Sequence, residues 1–191
     1  MTRYFFDTEF LEDGRTIDLI SIGIVCEDGR EYYAVNSEAP WDRIKEHRWL
    51  MANVWPGLPL HGQKEGLVSV GGGNHEVRLT TPGVIDTSDS CVKPRWVIAN
   101  EVRDFLLAAP DVIDLWADYG AYDHVVLCQM YGSMMRLPKG FPMFTHDIQQ
   151  EASRLGLTDE DLPQQADGHH NALADARHAK VVFDFLGAHD A

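Results

Sequence analysis

The chain has 191 residues, is 45% hydrophobic and 24% charged, and carries a net charge of −14. That length suits one domain with a sizeable core. The acidity excludes a binder that holds phosphates through a broad basic surface, though not an enzyme that meets them through bound cations. No apolar stretch approaches the roughly 20 residues of a membrane span, and the first residues lack the basic and apolar regions of a secretion signal. Cys26, Cys91 and Cys128 match neither a disulfide framework nor a zinc site. A cytoplasmic protein with no membrane partner is the expectation.

Residues 3–9, "RYFFDTE", read as a strand with two buried faces. Residues i and i+2 of a strand share a face, so Asp7 and Glu9 point the same way, with Phe5 behind them. Burying one unpaired carboxylate costs several kcal/mol or forces it to neutralise, and burying two together needs a compensating partner. Residues 17–26, "IDLISIGIVC", form a second strand, Asp28-Gly29 a hairpin turn, and 31–35 a third strand. An antiparallel meander is predicted.

A helix is expected from Pro40 to Trp55. Residues 57–93 are rich in Gly and Pro and read as an excursion, with a short hairpin near "EVRLTTPGVI". No Lys-Ser/Thr follows the run Gly71-Gly72-Gly73, which argues against a phosphate loop. Helical periodicity returns at 93–108. Residues 112–117 read as a buried strand, and 121–132 as a helix closed by Gly132. "FPMFTHDI" is expected to be a short strand running into a helix that reaches Gly156, and a last helix covers 171–186 and stops at Gly187. The whole is one α/β domain over 1–191. Its mixed five-stranded sheet is a three-strand antiparallel meander followed by alternating helices and strands, flanked by helices.

Further acids lie where strands end. Asp118 and Asp123 bracket the turn after the fourth strand, the position at which α/β sheets place their sites. In "GHHNALADA", His170 and Asp175 are five apart, about 140° of rotation on a continuous helix. They therefore fit better with His170 at the start of the helix and Asp175 in its second turn. Taken singly, each has a bland reading as a solvated edge, a turn former or a surface histidine. Together they put four acids and an imidazole on segments that one sheet could join. Four convergent carboxylates repel unless cations neutralise them, and oxygen ligands without cysteine select Mg²⁺ or Mn²⁺. Two such ions about 4 Å apart form the clamp used in phosphodiester cleavage.

"FFDTEF", "WADYGAYDHVVL" and "HNALADA" resemble, in order, the three motifs of the DEDDh group of 3′→5′ exonucleases. "DTEFLEDGRTIDLISIGIV" and "GAYDHVVLCQ" are most similar to the actinobacterial polyadenylate-specific 3′-exoribonucleases. The resemblance implies a ribonuclease H-like fold and removal of nucleoside 5′-monophosphates from single-stranded RNA or RNA 3′ ends. It implies metal binding by Asp7, Glu9, Asp123 and Asp175, with Asp7 bridging two ions, and His170 as general base. Thr8, Phe10, Leu11 and Tyr122 are the expected substrate contacts. For Phe10 and Leu11 this means stacking on or wedging beside the terminal base, and for Phe10 core packing is an equal alternative. Trimming of DNA, or an inactive relative that only binds nucleic acid, stays open. Relatives are often homodimers, so the resemblance also implies a second copy as a partner. Relatives also carry His-Asn before the aspartate of the second motif, where this chain has Asp118 and Tyr119.

Overall fold

The computed structural model describes residues 1–69 and 76–189. The glycine run at 71–73 lies outside them. Three strands open the chain, β1 (Thr2–Glu12), β2 (Ile17–Cys26) and β3 (Glu31–Asn36). They pair antiparallel in sequence, Asp7 opposite Gly23 and Ile22 opposite Ala34. The β2–β3 turn uses Gly29 at φ 90°, a backbone that a side chain would strain.

Helices α1 (Trp41–Glu46) and α2 (Arg48–Asn53) follow. One helix was expected here. The chain breaks at His47, which is extended and whose Nδ1 accepts from the Leu50 N–H as the cap of α2. The segment from β4 (Leu60–His61) to β7 (Val84–Ile85) is a pair of nested two-stranded ladders. β4 pairs with β7, and β5 (Lys64–Ser69) with β6 (Glu76–Thr81). The segment is tied back at its base, where Trp55 Nε1 donates to the Pro82 carbonyl at 2.6 Å.

Then come β8 (Val92–Lys93), α3 (Arg95–Leu107), β9 (Ile113–Ala117), α4 (Ala121–Met130), β10 (His146–Asp147), α5 (Ile148–Arg154) and α6 (Ala172–His189). The central sheet has six strands in the order β10-β9-β1-β2-β3-β8. The expected five are all present, and the sixth, β8, is a two-residue edge strand parallel to β3. β9 and β10 run parallel to β1, which makes the sheet mixed and consistent with a ribonuclease H-like arrangement. α6 continues through Gly187 to His189 instead of stopping there. No helix of the described residues is long and apolar enough to cross a membrane.

The period of two along β1 sorts its side chains into two cores. Tyr4 and Phe6 pack with Ile98, Val102 and Leu106 of α3 and Leu127 of α4. Phe5 faces the other way, onto Ile148 and Ala152 of α5 and Ala179, Val182 and Leu186 of α6. A third cluster joins Leu11, Ile20 and Val35 to Ile44, Leu50 and Trp55. Asp7 and Glu9 have the parity of Phe5 and so lie on the α6 side. Thr8 has the parity of Phe6 and lies on the α4 side.

Candidate active site

β1 and β9 pair only as far as Phe5 opposite Trp116. Beyond that point they part, and the acids gather in the opening. Asp7 and Glu9 come from β1, and the β1–β2 ladder shifts register just after them, between Glu9 and Phe10, before pairing resumes. Asp118 follows β9. Its turn is held by Asp147, whose carboxylate accepts from Gly120 N at 2.9 Å while capping α5. Asp123 lies in the first turn of α4, and Thr8 donates to its Oδ1 twice, from N at 2.8 Å and from Oγ1 at 2.6 Å.

α6 supplies the remaining groups. It reaches the site because β2 has glycine at position 23, where an added Cβ would lie 2.3 Å from Ala172 O and Leu173 N. Asp175 is in the first turn of α6, not the second as expected from the sequence, and its N–H donates to Asn171 O. His170 precedes the helix in the left-handed region, at φ 61°. Glu9, His170 and Asp175 each bring one ligand atom within 4.8 Å of the others. Asp7, Asp118, His170 and Asp175 line a cleft of ≈ 350 Å³ together with Tyr119 and Gln165.

Electrostatics follows from this crowding. Glu9 is 8% exposed, and burial, with Asp175 and Asp123 nearby, pushes its carboxyl up to about 8. Burial also raises Asp7 well above the usual carboxylate range, with Asp123, Glu9 and Asp175 adding repulsion. Asp123 is pushed up to about 6 by burial, against the Thr8 bonds that lower it. Burial raises Asp118 and Asp175 as well. Among the described residues no Lys or Arg lines the cleft. His169, His170 and His178 offset part of the acids' charge, and a set of buried carboxylates with one imidazole suits a hard divalent cation. The residues present therefore fit a hard divalent cation.

The expected substrate contacts fall in different places. The rings of Phe10 and Tyr122 meet edge to face at 5.8 Å, and Tyr122 is half exposed. Thr8 is buried, with its N–H and hydroxyl both engaged by Asp123. Leu11 is 4% exposed and packs in the third cluster, so its place is in the core. Gln165 and Gln149 were not singled out in the sequence. Gln165 Nε2 donates to Asp175 Oδ1, and Gln149 Nε2 to Asp118 Oδ1, each at 2.8 Å. Neither Gln165, in a loop, nor Gln149, in the first turn of α5, belongs to a spacing pattern that could have found it.

A mixed sheet with acids and an imidazole gathered where two strands part has the form of a nuclease-type α/β domain. Comparison with known families agrees. Residues 83–186, over half of the chain and including Asp123, His170 and Asp175, match the model described as the 3′-5′ exoribonuclease Rv2179c-like domain. The chain is 39% identical over 176 residues to the "3'-5' exoribonuclease Rv2179c" of Mycobacterium tuberculosis strain H37Rv, covering 92% of this chain and 87% of that protein. The "3'-5' exoribonuclease MT2234.1" of strain CDC 1551 matches to the same extent. The chain belongs to the Rv2179c-like 3′-5′ exoribonuclease family.

Proposed function

We propose that this protein is a metal-dependent 3′→5′ exoribonuclease that releases nucleoside 5′-monophosphates from single-stranded RNA or 3′ overhangs. The observation that carries the reading is the cluster of Asp7, Glu9, Asp123 and Asp175 beyond the end of the β1–β9 pairing, each raised by burial, with no Lys or Arg among the described residues that line the cleft. These four carboxylates would hold two Mg²⁺ or Mn²⁺ ions. Such ions supply an activated water and stabilise the leaving 3′ oxygen.

The chain's own residues do the rest. His170 stands within 4.8 Å of Glu9 and Asp175 and takes the proton of the attacking water, a task suited to an imidazole near neutral pH. Thr8 fixes the direction of the Asp123 carboxylate, and Gln165 that of Asp175. Phe10 and Tyr122 offer aromatic edges to the terminal base, an interaction that demands no sequence. The catalytic unit is one domain with an excursion at about 57–93, whose last residues return to the central sheet as β8. Its support is that β4 to β7 pair among themselves.

RNA is the preferred substrate on this reading, as the names of both relatives suggest. The test is a rate comparison of the parent protein with Asp175→Asn on 5′-labelled single-stranded RNA in Mn²⁺. The variant is expected to lose nearly all turnover while keeping its fold. A variant with the parent rate would remove the metal assignment.

A further inference from the structure

A general base must be aimed, and in most catalytic pairs a third group hydrogen-bonded to the base does this. Among the described residues, the His170 ring has no hydrogen-bond partner. Two other contacts constrain it. The first is backbone: Asn171 N donates to Gly168 O at 3.1 Å, its Oδ1 accepts from Ala174 N at the start of α6, and its Nδ2 donates across to Gly57 O at 3.2 Å. These bonds flank His170 and hold it at φ 61°, a conformation costly for a side-chain-bearing residue.

The second contact is with Trp49 of α2. The two rings are 4.7 Å apart between centroids at an interplanar angle of 72°. Trp49 is 48% exposed. Its neighbour Leu50 fills the core of α2 instead.

We propose that Trp49 is a positioning residue for His170, its ring taking the orienting place that a hydrogen-bonded carboxylate holds in other base-assisted sites. The inference rests on the reading of His170 as general base. It ties α2 and the Trp55–Gly57 turn to the catalytic centre, because Trp49 and Gly57 O both contact the loop that carries His170. Gly57 also opens the 57–93 excursion, so movement of that segment would reach His170 by the same route.

Two variants test this, Trp49→Ala and Trp49→Phe, each assayed for kcat and KM on a short RNA in Mn²⁺ beside the parent protein. A misplaced base should cut kcat of Trp49→Ala roughly 10- to 100-fold with KM within about twofold, and Trp49→Phe should recover most of the loss. A raised KM at unchanged kcat would overturn the proposal and make Trp49 a base-stacking residue. Unchanged kcat and KM would overturn it too. The second measurement needs no turnover. In the metal-free protein, nuclear Overhauser contacts between the His170 ring and Asp175 Hβ should be present in the parent, lost in Trp49→Ala and restored in Trp49→Phe. Contacts that persist in Trp49→Ala would show that Trp49 does not aim the ring. An inactive parent that still shows this pattern would count against His170 as base while leaving the positioning contact in place.

Discussion

Thr8 and Asp123 are joined twice through one atom. The Thr8 N–H and its hydroxyl both donate to Asp123 Oδ1, at 2.8 and 2.6 Å. The contact ties the middle of β1 to the first turn of α4 and fixes a carboxylate that is 5% exposed. Replacing Thr8 with Val keeps the shape and the N–H but deletes the hydroxyl. Hydrogen bonds to charged groups are worth about 1.5–3 kcal/mol, so turnover of Thr8→Val should fall roughly tenfold to a hundredfold. Steady-state kinetics on RNA would check this, and an unchanged rate would show that Asp123 is aimed by its helix alone.

Gly23 should tolerate no side chain. A Cβ there would lie 2.3 Å from backbone atoms of Ala172 and Leu173, and backbone cannot move aside as a flexible side chain can. Gly23→Ala must push α6 off β2, carrying Asp175 away from Glu9. We expect a lower melting temperature and a loss of activity larger than the loss of folded protein, measured by thermal unfolding and by rate per folded molecule.

Much of this was legible in the sequence. The apolar run of β1 and its period of two place Asp7 and Glu9 on one face and Thr8 on the other. The three motifs fix Asp123, His170 and Asp175 on segments that the fold does bring together. What escaped is short or non-local. Two-residue β8 is too brief to have a pattern. The break at His47 depends on a histidine acting as a cap, which its residue type does not advertise. Gly187 did not end α6, because Val182 and Leu186 bury the same helix and outweigh the roughly 1 kcal/mol that glycine costs. Gln165 and Trp49 matter only through partners 10 and 121 positions away, Asp175 and His170.

The metal-free protein should lose stability as pH rises. An acid whose folded pKa lies above its unfolded value favours the folded state while it is protonated. For Glu9 that contribution is full below its ordinary 4.5 and is lost as pH climbs through about 8. Asp123, at about 6, acts in the same direction over a lower window. Melting temperatures in chelator should therefore fall between about pH 4.5 and 8, and Mg²⁺ or Mn²⁺ should restore them most at the upper end. Asp7→Asn should raise the chelated protein's melting temperature near pH 8, since it removes one of the repelling charges. A profile that rises over this window in chelator would mean that the acids are not crowded in the folded state.

Gln165→Ala should weaken metal binding. Partners that orient a ligating carboxylate typically contribute 10- to 100-fold in affinity, and Gln165 Nε2 holds Asp175 Oδ1 at 2.8 Å. Calorimetric titration of Mn²⁺ into the variant should show that loss. By contrast, His170→Ala should cut the rate roughly 10²–10⁴-fold with little change in affinity. Should His170→Ala lose a bound metal instead, His170 would be a ligand, a role its place within 4.8 Å of Glu9 and Asp175 also allows.

The most direct measurement is a product ladder. Single-stranded RNA and DNA of one sequence, labelled at the 5′ end, are incubated with the protein in Mn²⁺, with and without chelator. On the proposed reading the acids and His170 act on the phosphodiester, and only contacts near the ribose read the 2′-hydroxyl. One or two such hydrogen bonds, at about 0.5–1.5 kcal/mol each, give a threefold to hundredfold preference. The account predicts stepwise shortening from the 3′ end, faster on RNA than on DNA and abolished by chelator. Degradation that continues in chelator would contradict it.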